Sequence, residues 1–240
     1  MLSKECLERS VRGATASVQW IALPYAAGSL RSYYPLTKVT GIELVKYELP
    51  GRGFRQFESL PSMSTVIEEV IDKIDFSRPY VLFGHSMGAY ISYEVCSLIE
   101  TKHLPPPKKV ILSGQVPPNI NRVTNFSREF STQEAIAYFR GTGGTPDEVL
   151  ENEELMELFS EMLNQDFRFL HEYLRGGWTE KVVSNLEIWF GDRDLLISDE
   201  HIYLWKKHTT GNCEFICFEG NHFFINDIIS NPEKINKFIT

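Results

Sequence analysis

Cysteine is scarce in these 240 residues: there are four, Cys6, Cys96, Cys213 and Cys217. None forms a C-x-x-C pair and none stands at zinc-like spacing from histidine. A disulfide framework and a structural zinc site are therefore excluded as organising devices, and reduced thiols are expected. Cys213 and Cys217 lie four apart in a strand-like stretch, so they share a face and read as packing residues. Long apolar runs are also lacking, since none approaches the ~20 residues that a membrane span needs. The opening segment, MLSKECLERSVRGATAS, carries no apolar core of the secretory kind. The cytoplasm is the expected location, with no membrane partner. Positive charge is in deficit: 24 Lys and Arg against 32 Asp and Glu leave a net charge of -8. Nucleic acid, which wants a basic footprint, is not an expected partner. No G-K-[ST] is present either, which removes a phosphate-binding P-loop.

What is present is the pattern of one large α/β domain; the chain is short for two. Apolar runs at residues 17–25 and 42–53, then RPYVLFG and KKVILSG, read as strands. Between them lie two helix-like stretches. The first has Val66, Ile67, Val70, Ile71 and Ile74 at helical spacing, with Ser64 as its expected N-cap. The second is GAYISYEVCSLIE, closed by Pro105, Pro106 and Pro107. Strands apolar on both faces suit a mostly parallel sheet covered by helices on both sides, with ligand chemistry at the strands' carboxyl ends.

The alternation breaks after Gly114, and no strand is expected from 115 to 184. STQEAIAYF opens with a capping box, Ser131 and Glu134. NEELMELFSEMLNQDFRFLHEYL has an Asn152 cap and carries Leu155, Leu158, Phe159, Met162 and Leu163 at helical spacing. The glycine-rich RGTGGTPDE joins them. The sheet pattern resumes with LEIWFGDRD, a helix-like SDEHIYLWKKH, the strand CEFICFEG and a final PEKINKFI. The expected organisation is a core of residues 1–114 and 185–240, interrupted by a helical insertion, 115–184, that serves as a lid.

VLFGHSMGAY carries G-x-S-x-G between a strand and a helix, the context in which that motif marks a nucleophile elbow. Side chains two before and two after the serine would collide in so sharp a turn, and Gly84 and Gly88 remove the collision. Ser86 is the expected nucleophile. A serine needs a base, and the base an orienting acid, in the chain order serine, acid, histidine. His85 sits on the elbow itself, His103 and His171 come too early, and His201 and His208 fall on an expected solvated face. His222, at the end of CEFICFEG, is the expected base. The loop after LEIWF offers Asp192 and Asp194. Asp194, beside apolar LLI, is favoured, and Asp192 suits a cap or solvent. The oxyanion hole needs two backbone N–H groups, one from Met87 and one from the small-residue loop PYAAGS.

Several ordered motifs together resemble the type II thioesterases of nonribosomal peptide and polyketide synthesis, stand-alone editing enzymes of the α/β-hydrolase fold. They are LPYAAGS, LPGRGFR, FGHSMGA, SGQVPP, GDRD and GNHFF, with NQDFRFLHEY similar to the family's lid-end segment. The resemblance spans nearly the whole chain. It implies Ser86, Asp194 and His222 as catalytic residues and Ala26 and Met87 as oxyanion donors. It also implies a substrate: an acyl or peptidyl thioester on the phosphopantetheine arm of a carrier protein domain. No metal or organic cofactor is implied beyond the arm itself, and a monomer is expected. The family's first loop usually reads Pro-His-Ala-Gly-Gly-Ser. Here Tyr25 replaces the histidine and Ala27 a glycine, and alanine resists positive φ. A carboxylesterase or an acyltransferase would use the same triad. A non-catalytic hydrolase-fold binding protein commonly lacks a triad member.

Overall fold

A computed structural model describes residues 6–12, 16–120, 128–176, 179 and 181–238. Residues 121–127, within the expected insertion, lie outside the described residues. The strands are β1 (Leu7–Val11), β2 (Val18–Leu23), β3 (Ile42–Tyr47), β4 (Tyr80–His85), β5 (Lys109–Ser113), β6 (Leu186–Gly191) and β7 (Cys213–Phe218). They form one sheet in the order β1-β3-β2-β4-β5-β6-β7. Every pair is parallel except β1 with β3. The helices are α1 (Met63–Ile71), α2 (Met87–Thr101), α3 (Thr132–Thr142), α4 (Asp147–Leu150), α5 (Glu153–Leu174), α6 (Asp199–Ile202), α7 (Ile225–Ser230) and α8 (Pro232–Ile235). The fold is an α/β-hydrolase fold, and α3, α4 and α5 fall in the interval between β5 and β6.

Alternate residues of each central strand feed two separate cores, which is why these strands read as continuous apolar runs. Ile21, Leu23, Leu82 and Ile188 join α1, α2 and α5 on one face. Trp20, Ala22, Phe83 and Trp189 pack with Tyr33, Leu36 and α7 on the other. The strand ends between these layers therefore form a rim on which β4, β6 and β7 each deliver a loop.

Three local expectations are corrected, and one strand is found that the apolar pattern did not mark. Helix α1 starts one residue after Ser62, whose Oγ accepts the Thr65 N–H at 3.4 Å, so Ser62 and not Ser64 is the cap. Met63 is buried in the core and pulls the first turn earlier than the apolar spacing implied. An edge strand, β1, forms from LERSV, which lacks a continuous apolar run, because pairing with β3 is made by the backbone. Cys213 packs against the core, but Cys217 is exposed at the edge of the sheet. His208 is buried, held by Asn119 Oδ1 at 3.1 Å from its Nε2, because buried Trp205 draws its segment inward.

Candidate active site

Ser86 occupies the junction between β4 and α2 with φ 53° and ψ -116°. A non-glycine residue in that region carries ~1–3 kcal/mol of strain and persists only where its surroundings enforce it. They do so here: the Ser86 N–H donates to the Ser113 carbonyl at 2.7 Å. A Cβ on Gly84 would lie 1.9 Å from the Gly88 carbonyl oxygen, and one on Gly88 would lie 2.2 Å from that of Leu23. Only glycine at both positions allows strand and helix to meet so closely. Met87 begins α2, so its N–H is one of the unpaired donors at the positive end of a 15-residue helix.

Asp194 and His222 stand on the loops after β6 and β7. His222 Nδ1 lies 2.7 Å from Asp194 Oδ2, and both side chains are buried. The second carboxylate oxygen accepts the Leu196 N–H at 2.9 Å, which fixes its orientation. With Nδ1 committed, Nε2 is the imidazole nitrogen left for chemistry, and His222 lines the same cavity as Ser86 and Ala26. Asp192 instead accepts the Gly220 N–H at 2.8 Å in a partly exposed position, tying the two loops together. The apolar LLI does not act as one shield: Leu195 is exposed, whereas Leu196 and Ile197 reach the cavity.

The cavity measures about 340 Å³, and Tyr90, Phe130, Tyr138, Phe167 and Leu170 form its apolar wall. Burial pushes the Tyr138 phenol well above its ordinary pKa, with the Asp194 charge adding to this, so it stays protonated. His85 points away from Ser86 chemistry: its Nδ1 meets Ser113 Oγ at 2.9 Å. Burial, reinforced by nearby His222, holds the His85 pKa well below that of a free imidazole. Tyr25 packs edge-on against Phe223, ring centroids 4.9 Å apart, and so seats the first loop on the residue after His222.

Sequence reasoning missed the supports of that loop. Gly28 N–H closes a tight turn onto the Tyr25 carbonyl at 2.8 Å, and Ala27 within it has φ 58°. Ala27 thus adopts the conformation that alanine resists. Its N–H donates to Asp166 Oδ2 at 2.7 Å. Arg52 grips both oxygens of the same carboxylate, at 2.9 and 2.5 Å, and donates to the Gly28 carbonyl at 2.9 Å. Glu48 accepts the Leu30 N–H at 3.0 Å. The signal was present in ELPGR and NQDF, where charged residues interrupt segments that must be buried, but neither segment names its partner. Among the described residues, no group of three or more His, Cys, Asp or Glu side chains is placed to hold a metal ion. Nor, among them, is any helix long and apolar enough to cross a membrane.

Fold and site together define an α/β-hydrolase with a serine elbow and a buried His–Asp pair on one cavity. The chain belongs to the thioesterase family, a family of thioester hydrolases: the thioesterase domain model matches residues 19–240. It is 30% identical over 215 residues to a probable cadicidin biosynthesis thioesterase of Streptomyces griseus, covering 87% of this chain and 58% of that protein. It is 26% identical over 217 residues to the gramicidin S biosynthesis protein GrsT of Aneurinibacillus migulanus, covering 88% and 84%. In fold it is similar to the type II thioesterase BorB from the borrelidin biosynthetic cluster, with a TM-score of 0.81, 24% identity and coverage of 98% and 97%.

Proposed function

We propose that this protein is a serine thioesterase that frees acyl or peptidyl groups from the phosphopantetheine arms of carrier domains, clearing stalled nonribosomal peptide or polyketide synthases. The observation that carries the reading is the buried His222–Asp194 pair on the same cavity as Ser86, in a chain of the thioesterase family. The biosynthetic context printed for its relatives supports the choice of carrier-bound substrate.

His222 Nε2 takes the Ser86 Oγ proton as the oxygen attacks the thioester carbonyl. The N–H groups of Ala26 and Met87 receive the oxyanion, aided by the N-terminal end of α2. The C–S bond breaks, and His222 returns its proton to the departing thiolate. The group is now an ester on Ser86. Water, deprotonated by His222, attacks that ester; the acid leaves and Ser86 regains its proton. Asp194 holds the imidazole in the required tautomer and balances its charge. No step calls for a metal or organic cofactor. At about 340 Å³ the cavity falls within the ~300–1,000 Å³ usual for small-molecule sites, room enough for an acyl group.

The test is release of acyl groups from a panel of loaded carrier proteins, compared with a nitrophenyl ester. Wild type should turn over acyl carriers faster than the free ester, and Ser86→Ala should abolish both. Equal release by wild type and variant would sink the nucleophile assignment. Preference for the free ester would point to a carboxylesterase.

A further inference from the structure

We propose that Arg52 and Asp166 are positioning residues for the oxyanion hole, and that they tie the long helix of the insertion to the catalytic loop. This rests on the reading of Ala26 as an oxyanion donor. Both side chains are fully buried, and neither lines the cavity that holds Ser86 and His222. They act on the loop from behind. Three successive links converge there: Ala27 N–H to Asp166 at 2.7 Å, Arg52 to Asp166 through both guanidinium ends, and Arg52 to the Gly28 carbonyl at 2.9 Å.

The need for such a brace follows from Ala27. At φ 58° it occupies a position in a tight turn where glycine is the residue without penalty. An unbraced alanine would rotate towards negative φ. The Ala27 N–H belongs to the same peptide plane as the Ala26 carbonyl, so that rotation would swing this plane and, through the Ala26 Cα, displace the Ala26 N–H that is read as the oxyanion donor. Asp166 prevents it by holding that plane, and Arg52 holds the Gly28–Ser29 plane at the far end of the turn. Arg52 also neutralises Asp166, which would otherwise be a buried charge with only one N–H to satisfy it. Asp166 precedes Phe167, which lines the cavity. One turn of α5 therefore sets both the wall that receives the acyl group and the loop that receives the developing negative charge.

Purified full-length variants separate positioning from mere stability. The substrate is a short acyl-pantetheine thioester, and the readouts are kcat, KM and melting temperature. Glu94→Gln is the control: Glu94 is another buried carboxylate anchoring α5, through the Tyr173 hydroxyl at 2.7 Å, and it has no link to the oxyanion loop. Loss or misplacement of one oxyanion donor costs about a hundredfold in kcat. Asp166→Asn and Arg52→Met should show a loss of that order with KM within about threefold, while Glu94→Gln keeps kcat near wild type at equal loss of melting temperature. Arg52→Lys, the mildest change, should fall between and serves if the others do not fold. Adding Ala27→Gly to Asp166→Asn should recover part of the lost kcat, because glycine needs no brace at that φ. Wild-type turnover that depends on Ser86 secures the underlying reading independently. Equal kcat losses in Asp166→Asn and Glu94→Gln, or no recovery with Ala27→Gly, would overturn the proposal.

Discussion

The carboxylate of Asp166 and the backbone N–H of Ala27 meet at 2.7 Å although 139 residues separate them in the chain. One belongs to the helical insertion and the other to the first loop of the sheet domain. The insertion is thus part of the site's framework at this point, and any lid motion has to leave this half of α5 in place.

Hydrogen exchange should divide the insertion accordingly. The carboxyl-terminal half of α5 is pinned by Arg52 at Asp166 and by Glu94 at Tyr173, and Glu94 also accepts the N–H of Thr179, beyond the helix, at 2.8 Å. Its amino-terminal half carries exposed Leu155 and Leu158. Amides in α3, α4 and the first turns of α5 should exchange faster than those from 166 to 174 and should slow when an acyl carrier binds. Uniform protection across α3 to α5 would show that no part of the insertion works as a lid.

Asp192 and Asp194 differ by two positions and should differ by orders of magnitude in effect. Asp194→Asn removes the group that sets the His222 tautomer, and kcat should fall by about 10³–10⁴. Asp192→Asn only weakens a loop tie to Gly220 and should stay within about threefold, as surface substitutions usually do. Steady-state kinetics of the two variants decide the matter; a larger loss at Asp192 would reassign the acid.

The elbow glycines should prove intolerant for steric reasons alone. Gly84→Ala places a methyl 1.9 Å from the Gly88 carbonyl oxygen, backbone that cannot step aside. The expected cost exceeds about 4 kcal/mol, in the range reserved for overpacked or strained sites, and is measured by urea unfolding or by loss of soluble protein. A variant within about 1 kcal/mol of wild type would mean that strand and helix do not approach as closely as described.

His85 should make the protein acid-sensitive from near neutrality. Its folded pKa is depressed, chiefly by burial, whereas the unfolded chain has a histidine near pH 6.5. Below that pH the unfolded state binds a proton that the folded state refuses, so stability falls as pH drops through 6.5 and is flat above it. The limiting slope from this one group is about 1.4 kcal/mol per pH unit. His85→Asn retains an amide to meet Ser113 and removes the titration. Urea unfolding from pH 7.5 to 5 should give a shallower pH slope for the variant, at lower absolute stability. Parallel slopes would mean that His85 titrates normally.

What the sequence determined by itself was whatever local pattern can encode. Apolar runs with both faces covered marked the central parallel strands, and glycine spacing around Ser86 marked the elbow, because the collisions it avoids are between near neighbours. Chain order along successive strand ends pointed to His222 and favoured Asp194 over Asp192, since a parallel sheet delivers its loops to one rim. Tertiary structure alone decided the rest, through contacts that no local window contains. Pairing with β3 made a strand of residues 7–11, which have no continuous apolar run, burial of Met63 moved the cap of α1 to Ser62, and Trp205 carried His208 inside. Above all, a buried arginine requires a buried carboxylate, but nothing in ELPGR says that the carboxylate is Asp166, 114 residues further on, or that together they hold Ala27 where alanine alone would not stay.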